Sequence, residues 1–359
     1  MSEKQLMSGS HVIAEAAVRA GCRFYAGYPI TPQNELTEYS AAAMAKLPDG
    51  TFIQAESEIA AINMVLGASM AGARAMTSSS SPGISLKQEG LSFAAAMELP
   101  LLVVNTMRGG PGLGNIAPAQ GDYFQATRGG GHGDYRTIVL APASGQELAD
   151  LTRKAFEYAD NYLIPVMIIG DGMIGQVMEP VEFPDPIDPK DLPPKPWILD
   201  GAKGRPSRLI RSLILDVSLE EAHNWKLVRK HETISREIAS CEEYQTDDAR
   251  LVVIAYGTAA RIAKGAVRKA RERGLKVGLI RPVTLWPFPE QILQKMTGRI
   301  NEFLVFEMST GQMLEDVRLA IQGSANIHFY GRPGGIISTP EEIAGEIQRL
   351  YQSRQLDEE

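Results

Sequence analysis

The sequence predicts an α/β fold with two open, mostly parallel sheets. Apolar runs of strand length alternate with segments of helical period throughout the N-terminal part of the chain. A Pro-rich stretch at 179–206 has little periodicity, and the alternation resumes near Leu251. We therefore expect two α/β domains, at 1–180 and 248–359, joined at 181–247 by a Pro-rich linker and a helical connector.

The composition excludes several classes of protein. The chain has 359 residues, 44% hydrophobic and 22% charged, and a net charge of −7. An acidic chain without a basic stripe does not suit nucleic acid. The longest apolar runs are strand length, too short to span a membrane, and the N-terminus lacks the layout of a signal peptide, so we expect a cytoplasmic protein. Two distant cysteines exclude a disulfide framework or an iron–sulfur cluster within this chain.

Local patterns place the elements of the first domain. Apolar residues with helical period, capping residues and glycines indicate where helices begin and end. Expected helices lie at 10–20, from Pro32 onward, at 59–71, from the 78–83 turn to about 97, and at 145–159. Expected strands lie at 23–26, 51–55, 73–77, 101–106, 137–140 and 165–169.

The second domain shows the same alternation after a charged amphipathic helix expected at 224–244. Its expected strands are 251–256, 276–280 and 302–306, and its expected helices are 259–274, 289–295, 313–321 and one from Pro340. Gly257 and Thr258 follow a strand and precede a helix, as in a phosphate-binding turn. Without further glycines at the required spacing, a plain helix start is the better interpretation.

Two junctions between strand and helix carry polar residues, where open α/β sheets keep their ligands. Thr31 is expected to cap the next helix, with Pro32 at its first position. Glu56 and Glu58 follow the next strand, either as solvated charges or as carboxylates favoured by a helix N-terminus. Spacing alone favours one of these ordinary roles over a functional role for the two glutamates. The other side chain of note, Cys22, is expected to be a small buried residue.

The loop from Arg108 to Asn115 is rich in glycine and follows a buried strand. Glycines leave the backbone accessible to a ligand, and an arginine can form bidentate hydrogen bonds with a carboxylate or phosphate. The alternative is a flexible loop with a solvated arginine. A second glycine cluster at 128–134, with a histidine, favours a lined cavity.

Four segments occur in a fixed order: GYPITP, ESEIAAINMVLGAS, TSSSSPGISLKQEGLSFAAAMELP and NTMRGGPGLGN. Together they closely resemble the alpha-type chain of 2-oxoacid:ferredoxin oxidoreductases, which are thiamine-diphosphate enzymes. The resemblance covers nearly the whole chain and implies a pyrimidine-binding domain followed by a transketolase C-terminal-like domain, the latter serving mainly in assembly. The segment GPGLGNIAPAQGDYFQATRGGGHGDYR most resembles the branched-chain (2-oxoisovalerate) enzymes, with the 2-oxoglutarate enzymes second.

The resemblance implies a glutamate that bonds N1′ of the thiamine pyrimidine. Burial favours the protonated form of a carboxylic acid, which keeps a proton available for that bond. The family's spacing of nine residues to a helix glycine, here Gly67, selects Glu58, with Glu56 as the alternative.

Further roles follow from the same resemblance. Thr31 and Arg108 match the family positions that contact the carboxylate of the 2-oxo acid. The expected cofactor and wall residues are Tyr28, Pro29, Ile30, Ser81 and Gly83. Leu113 and Ile116 are apolar residues that we expect to favour a branched substrate.

One family feature is incomplete. Gly170-Asp171-Gly172 resembles the start of the motif that holds Mg²⁺ and diphosphate, but 163–222 contains no asparagine to complete it. We therefore expect Asp171 to be a strand-end residue, with no metal site in this chain. Mg²⁺, diphosphate and [4Fe-4S] clusters are then expected on partner chains: a beta-type subunit and ferredoxin-like gamma- and delta-type subunits.

The resemblance implies one subunit of an enzyme that converts a 2-oxo acid and coenzyme A to an acyl-CoA and CO₂, with electrons passed to ferredoxin. This chain alone is expected to be inactive. Two other interpretations stay open. One is a different thiamine enzyme, such as indolepyruvate oxidoreductase or a transketolase-like lyase. The other is a non-catalytic scaffold or regulatory chain.

Overall fold

The computed structural model describes residues 4–356. Its N-terminal part alternates strands with helices after a short first strand. The strands are β1 (Gln5–Ser8), β2 (Cys22–Gly27), β3 (Thr51–Gln54), β4 (Arg74–Ser79), β5 (Leu101–Met107), β6 (Ile138–Leu140), β7 (Pro165–Asp171) and β8 (Met178–Val181). The helices are α1 (Gly9–Arg19), α2 (Asn34–Met44), α3 (Glu58–Met70), α4 (Ser81–Ala96), α5 (Tyr123–Arg128), α6 (Gly145–Tyr162) and α7 (Gly172–Gln176).

The C-terminal part begins with a long helix after an irregular stretch that contains a single 3₁₀ turn. Its helices are α8 (Val217–Ile238), α9 (Gly257–Glu272), α10 (Glu290–Met296), α11 (Gln312–Ile321) and α12 (Pro340–Arg354). Its strands are β9 (Cys241–Tyr244), β10 (Leu251–Ile254), β11 (Val277–Pro282), β12 (Thr284–Trp286), β13 (Glu302–Glu307) and β14 (Asn326–Gly331).

The first large sheet has the strand order β12-β6-β7-β5-β4-β2-β3. All its neighbouring strands are parallel except β12, which pairs antiparallel with β6. The second sheet has the order β14-β13-β10-β11-β9 and is parallel except for β9. The predicted fold class, two open and mostly parallel sheets, is confirmed.

Helices cover the sheets, so the central strands are continuous apolar runs. Every residue of β5 is buried, as expected for a parallel strand with both faces covered. The small residues of α3 and α4 allow these helices to pack closely: a Cβ placed on Gly90 of α4 would lie 2.5 Å from Ile62 Cγ1. Cys22 is buried as predicted, and burial raises the pKa of its thiol to about 12.

Two predicted helix starts are wrong. The helix α2 begins at Asn34 rather than Pro32, and Gln33 occupies its cap position. Thr31 does not cap it, because residues 30–33 form a turn in which the Gln33 N–H donates to Ile30 O. The predicted helix 224–244 is α8, which begins seven residues earlier behind the capping carboxylate of Asp216 and ends at Ile238.

The predictions also missed short strands that depend on distant partners. Residues 241–244, predicted as helix, pair with β11 as the antiparallel strand β9. The strands β1 and β8 form a two-stranded ribbon, and β14 completes the second sheet. The strand β12 leaves the second sheet and joins the edge of the first. Within residues 4–356, none of the helices combines the length and apolar character needed to cross a membrane.

A buried glutamine joins the two sheets. The side chain of Gln120 donates from Nε2 to Tyr256 O at 2.9 Å and accepts at Oε1 from the Met308 N–H at 2.9 Å. Both backbone groups lie just beyond strands of the second sheet, after β10 and β13. The Tyr256 hydroxyl donates back to Gln120 O at 3.2 Å. The loop before α5 is thereby attached to the carboxyl ends of the second sheet.

The Gln120→Leu variant tests this connection. Leucine would leave the Met308 N–H buried without a partner, which costs about 1–3 kcal/mol, while the Tyr256 carbonyl keeps its hydrogen bond from the Ala260 N–H. We expect the free energy of unfolding, measured in urea, to fall by about 1–3 kcal/mol. The exposed Gln294, replaced by leucine, is the control and should change stability by less than about 0.5 kcal/mol. Equal stabilities of the two variants would contradict this role of Gln120.

Candidate functional site

Four segments of the chain meet where neighbouring parallel strands end. Thr31 follows β2, Glu58 follows β3, Ser81 and Gly83 follow β4, and Arg108 follows β5. The strand order places β4 between β2 and β5, so these residues share one edge of the sheet. This edge, at the carboxyl ends of the strands, is where open α/β sheets bind their ligands.

Glu58 lies in the first turn of α3. The preceding residue, Ser57, caps the helix by accepting a hydrogen bond at Oγ from the Ala60 N–H at 3.1 Å. Glu58 is 6% exposed, whereas Glu56 is exposed to solvent. A carboxylate in the first turn is favoured by the helix dipole. Burial therefore distinguishes the two glutamates. Their positions in the sequence do not distinguish them unless the family's spacing is used.

Gly83 lies directly against the Glu58 side chain. A Cβ placed on Gly83 would overlap Ser79 Oγ and would lie 2.6 Å from Glu58 Oε1. A residue with a side chain would therefore push the Glu58 carboxyl away from α4. The absence of a Cβ at Gly83 allows the first turns of α3 and α4 to share this carboxyl.

A lysine that the sequence analysis missed lies beside the same glutamate. Lys87 of α4 is fully buried, and its Nζ donates to Glu58 O at 3.2 Å. Burial lowers the pKa of this ammonium to about 8, although the negative charge of Glu58 acts in the opposite direction. The signal in the sequence is the spacing: Lys87 is four residues after Gly83 and so lies on the same face of the helix.

Ser81 connects the start of α4 to the loop after β5. Its Oγ accepts from the Arg108 N–H at 3.0 Å and donates to Asp122 Oδ2 at 2.6 Å. The same carboxyl oxygen accepts from Asn105 Nδ2 at 2.8 Å. Burial raises the pKa of Asp122, while these two hydrogen bonds lower it. Asp122 is a second residue of the site that the sequence analysis missed, because nothing in its local pattern distinguishes it from a loop aspartate.

The Arg108 side chain is held inside the site rather than solvated. It is 9% exposed, and it donates from Nη1 to Thr31 O at 2.9 Å and from Nη2 to Leu113 O at 3.1 Å. Its Nε is buried and has no hydrogen-bond partner among residues 4–356. The guanidinium therefore fixes both neighbouring loops and still offers an N–H to a ligand.

A hydrogen-bond network beneath the site holds α2 to the sheet. The Gln33 Oε1 accepts from Thr37 Oγ1 at 2.9 Å and from Ser78 Oγ at 2.5 Å. The Tyr25 hydroxyl lies 2.6 Å from Ser78 Oγ, within hydrogen-bond distance. This use of the Gln33 amide in the interior explains why α2 begins after residue 33 and leaves Thr31 exposed.

The remaining predicted wall residues lie on the loop after β2. Tyr28 and Pro29 are exposed and Ile30 is half-buried, and Tyr28 O accepts from Gln33 Nε2 at 3.3 Å. On the glycine-rich loop, Leu113 is 79% exposed and Ile116 is 63% exposed. Both apolar side chains are available to a ligand or to another chain.

A cleft of about 390 Å³ opens beside Ser81 and Asp122. One wall is the glycine-rich loop, and the other is the second sheet's loops at 308–312 and 333–334. The second glycine cluster does not line it. That cluster packs on α4, where the Gly130 N–H donates to Gln88 Oε1 at 2.9 Å.

Asp171 ends β7, as predicted, and one of its carboxylate oxygens accepts hydrogen bonds from neighbouring residues. Its Oδ1 accepts from the Met173 and Ile174 N–H groups at 3.0 and 3.2 Å and from Thr258 Oγ1 at 2.9 Å. Burial raises the pKa of this carboxyl. The residue Gly257 begins α9, in agreement with the plain helix start. The described part of the chain has no cluster of three or more histidine, cysteine, aspartate or glutamate side chains suited to a metal ion.

The residues at this edge offer hydrogen-bonding partners to a polar ligand. Buried polar atoms without a partner in the described chain gather around β4 and β5: Ser79 Oγ, Ser80 Oγ, Asn105 Oδ1 and Arg108 Nε. Unpaired polar atoms in the interior are rare and call for a ligand, water or ion. Glu58, 6% exposed at the same edge, stays the predicted partner of the thiamine pyrimidine at N1′.

The Gly83→Ala variant tests the close approach of α4 to Glu58. The added methyl group must displace Ser79 and the Glu58 carboxyl, and overpacking of this kind costs about 1–3 kcal/mol. The control is Gly67→Ala, because Gly67 is exposed in α3 and has no atom within 4 Å of its Cβ position. There alanine should stabilise the helix by up to about 1 kcal/mol. Equal free energies of unfolding for the two variants would contradict the contact.

Two family models match the chain. Residues 15–239 match the thiamine-diphosphate-binding domain of pyruvate flavodoxin/ferredoxin oxidoreductases, and residues 249–343 match core domain II of pyruvate:ferredoxin oxidoreductase. The solved 2-oxoglutarate:ferredoxin oxidoreductase from Magnetococcus marinus, with 2-oxoglutarate, coenzyme A and succinyl-CoA bound, superimposes with a TM-score of 0.86 at 28% identity. That match covers 97% of this chain and 65% of the solved one, so the chain spans less than two thirds of its length.

Sequence relatives support the same family. The ketoisovalerate oxidoreductase subunit VorB of Methanothermobacter thermautotrophicus is 45% identical over 96% of this chain and 97% of its own length. The 2-oxoglutarate synthase subunit KorA of the same organism is 37% identical over 98% of this chain and 100% of its own length. The predicted resemblance, including its order of subfamilies, is confirmed. The chain belongs to the 2-oxoacid:ferredoxin oxidoreductases, as an alpha-type subunit with the thiamine-diphosphate-binding domain of that family.

Proposed function

We propose that this chain is the subunit that binds the pyrimidine of thiamine diphosphate in an enzyme that oxidatively decarboxylates a 2-oxo acid. The products are an acyl-CoA and CO₂, and the electrons pass to ferredoxin. The observation that carries the proposal is the buried carboxyl of Glu58, shared by the first turns of α3 and α4. A non-catalytic scaffold would have no need to bury this carboxyl beside a glycine.

Glu58 is the proposed partner of the cofactor's pyrimidine. Thiamine diphosphate, when bound, supplies a carbon nucleophile that attacks the 2-oxo carbon and accepts the electrons released with CO₂. The Glu58 carboxyl would hold a proton at the pyrimidine N1′, and the residue is largely enclosed by the chain, with 6% of its surface exposed. Gly83 keeps the carboxyl in place, and Ser81 fixes the start of α4.

Arg108 and Thr31 are the proposed binding groups for the substrate carboxylate. The unpartnered Nε of Arg108 can donate a charge-assisted hydrogen bond, and the exposed Thr31 hydroxyl can donate another. Because Arg108 also holds Thr31 O, the two donors stay next to each other. The loop residues Tyr28, Pro29 and Ile30 would form a wall of the site.

The preferred substrate in this proposal is 3-methyl-2-oxobutanoate, the branched 2-oxo acid. Higher identity to the ketoisovalerate subunit than to the 2-oxoglutarate subunit supports it. The apolar Leu113 and Ile116 suit a branched side chain better than a second carboxylate. The solved relative with 2-oxoglutarate bound makes 2-oxoglutarate the second candidate.

The site also requires a partner. We propose that Mg²⁺, the diphosphate contacts and the [4Fe-4S] clusters come from other subunits, namely a beta-type chain and ferredoxin-like gamma- and delta-type chains. The use of Asp171 as a helix cap supports this division, since its Oδ1 accepts from two N–H groups and a hydroxyl. For this chain itself we propose domains at 1–180 and 248–359, joined by 181–247.

A pair of glutamine variants tests the proposed function in the assembled enzyme. Glu58→Gln removes the acidic proton and should lower the turnover number with 3-methyl-2-oxobutanoate and ferredoxin by about 10²–10⁴-fold. The control Glu56→Gln changes an exposed carboxylate two residues away and should leave turnover near the wild-type value. Normal turnover in Glu58→Gln, or loss of turnover in Glu56→Gln alone, would refute the assignment.

Substitution of Arg108 tests substrate binding. Arg108→Ala removes the charged donor from the carboxylate, and we expect the KM for the 2-oxo acid to rise about 10–100-fold, as for a lost charge-assisted hydrogen bond. The KM for coenzyme A should stay unchanged, which controls for damage to the glycine-rich loop. An unchanged KM for 3-methyl-2-oxobutanoate, with 2-oxoglutarate assayed in parallel, would rule out this role.

A further inference from the structure

We propose that Lys87 is a positioning residue that compensates the charge of the proton held between Glu58 and the thiamine pyrimidine. When the cofactor binds, the Lys87 ammonium loses a proton. This inference rests on the proposed function and assigns a role in the same site to a residue of α4. It starts from geometry. Lys87 is fully buried, and its Nζ is held at 3.2 Å from the backbone carbonyl of Glu58.

Few interactions offset the cost of burying the Lys87 ammonium. It has three N–H donors, yet within residues 4–356 it makes one hydrogen bond, to a carbonyl, and no ion pair within 4.0 Å. A buried ammonium without a paired carboxylate is rare because desolvation disfavours the charged form. Burial accordingly lowers the pKa of Lys87 to about 8. The group therefore changes its charge close to neutral pH.

Glu58 is the charged group that opposes this shift. It is the one ionisable residue of α3, and β5 carries none. On β4, the Arg74 guanidinium is paired with Asp160 at 2.7 Å. On β7, Asp171 is engaged at the start of its own helix. Glu58 is thus the charged group that acts on Lys87, ahead of Glu89 on the same helix, of Asp122 beside Ser81, and of Arg128, His132 and Asp134 in the glycine cluster that packs on α4.

Cofactor binding would remove the negative charge of Glu58 that favours the charged form of Lys87. A pyrimidine N1′ bonded to the Glu58 carboxyl shares one proton with it, so the lone negative charge beside Lys87 is cancelled. The pKa of Lys87 then falls further, because its only electrostatic support is lost while it remains buried. One proton is gained between Glu58 and N1′, and one is released from Nζ. The neutral amine left behind can still donate an N–H to Glu58 O.

The sign of the effect follows from proton linkage. Below about pH 8, proton release by Lys87 offsets proton uptake at Glu58, so the wild-type affinity changes little with pH. Without a titrating residue 87, binding takes up nearly one whole proton. The dissociation constant for thiamine diphosphate then rises by about tenfold for each pH unit. Above about pH 10, Lys87 is already neutral and the difference disappears.

The experiment measures proton uptake when the apo complex, assembled with its partner subunits, binds thiamine diphosphate and Mg²⁺. Calorimetry in buffers of different ionisation enthalpy gives the number of protons per site. At pH 7.5 we expect Lys87→Met to take up roughly half a proton more than wild type, and its Kd to rise about tenfold between pH 7 and 8. Methionine should be tolerated, because it replaces a buried charge by an apolar chain of similar length.

Two further variants separate proton exchange from a structural role. Lys87→Arg keeps the charge and the hydrogen bond to Glu58 O but does not lose a proton, so it should resemble Lys87→Met in proton uptake. It also provides the test if the methionine variant does not assemble. Lys230→Met is the matched control, since Lys230 likewise donates to a backbone carbonyl, Leu163 O, and is paired with Glu98 away from the site. It should behave as wild type.

The outcomes distinguish the two proposals. Equal proton uptake in wild type and Lys87→Met, or wild-type uptake in Lys87→Arg, overturns the role of Lys87 and leaves the proposed function intact. Failure of the wild-type complex to bind thiamine diphosphate overturns the proposed function and, with it, this inference.

Discussion

The site depends on a contact between a carboxyl and a glycine. Ser79 Oγ and the Glu58 side chain occupy the space that a Cβ of Gly83 would fill, with Glu58 Oε1 2.6 Å from that position. Because of this contact, the first turns of α3 and α4 converge on one carboxyl, and the first turn of a helix carries partial positive charge on its free N–H groups. The same approach buries Lys87, which lies one helical turn further along α4. Charge, burial and helix packing at this edge therefore cannot be altered separately.

The parallel sheet explains how residues distant in the sequence reach this contact. Strands β3, β2, β4 and β5 are consecutive neighbours, and each is followed by a loop or helix start at the same edge. Arg108 then joins the loops after β2 and β5 by donating to Thr31 O and Leu113 O. An antiparallel arrangement would send alternate loops to opposite edges. A site of this composition therefore requires crossover helices, and their small residues permit close packing on the sheet.

Much of the fold could be predicted, because buried parallel strands and amphipathic helices have strong local patterns. The strands β9 and β12 could not, since three or four residues pair antiparallel only where a distant strand offers its edge. The start of α2 was mispredicted because the Gln33 amide is used in the interior by Ser78, a residue of another strand. In the site, the roles of Glu58, Thr31 and Arg108 came from resemblance to a family and remain predictions.

The sequence analysis missed two site residues, and both act through contacts across the chain. The spacing from Gly83 places Lys87 on one face of α4, but its proximity to Glu58 depends on the packing of α3 against α4. Asp122 depends on the second sheet: Gln120 ties the preceding loop to Tyr256 and Met308, and the Tyr123 hydroxyl donates to Asp316 Oδ2 at 2.5 Å. That loop carries the Asp122 carboxyl to Ser81, whose Oγ accepts the Arg108 N–H. The C-terminal sheet thus contributes to the position of Arg108 through one carboxyl, which is more than a role in assembly alone.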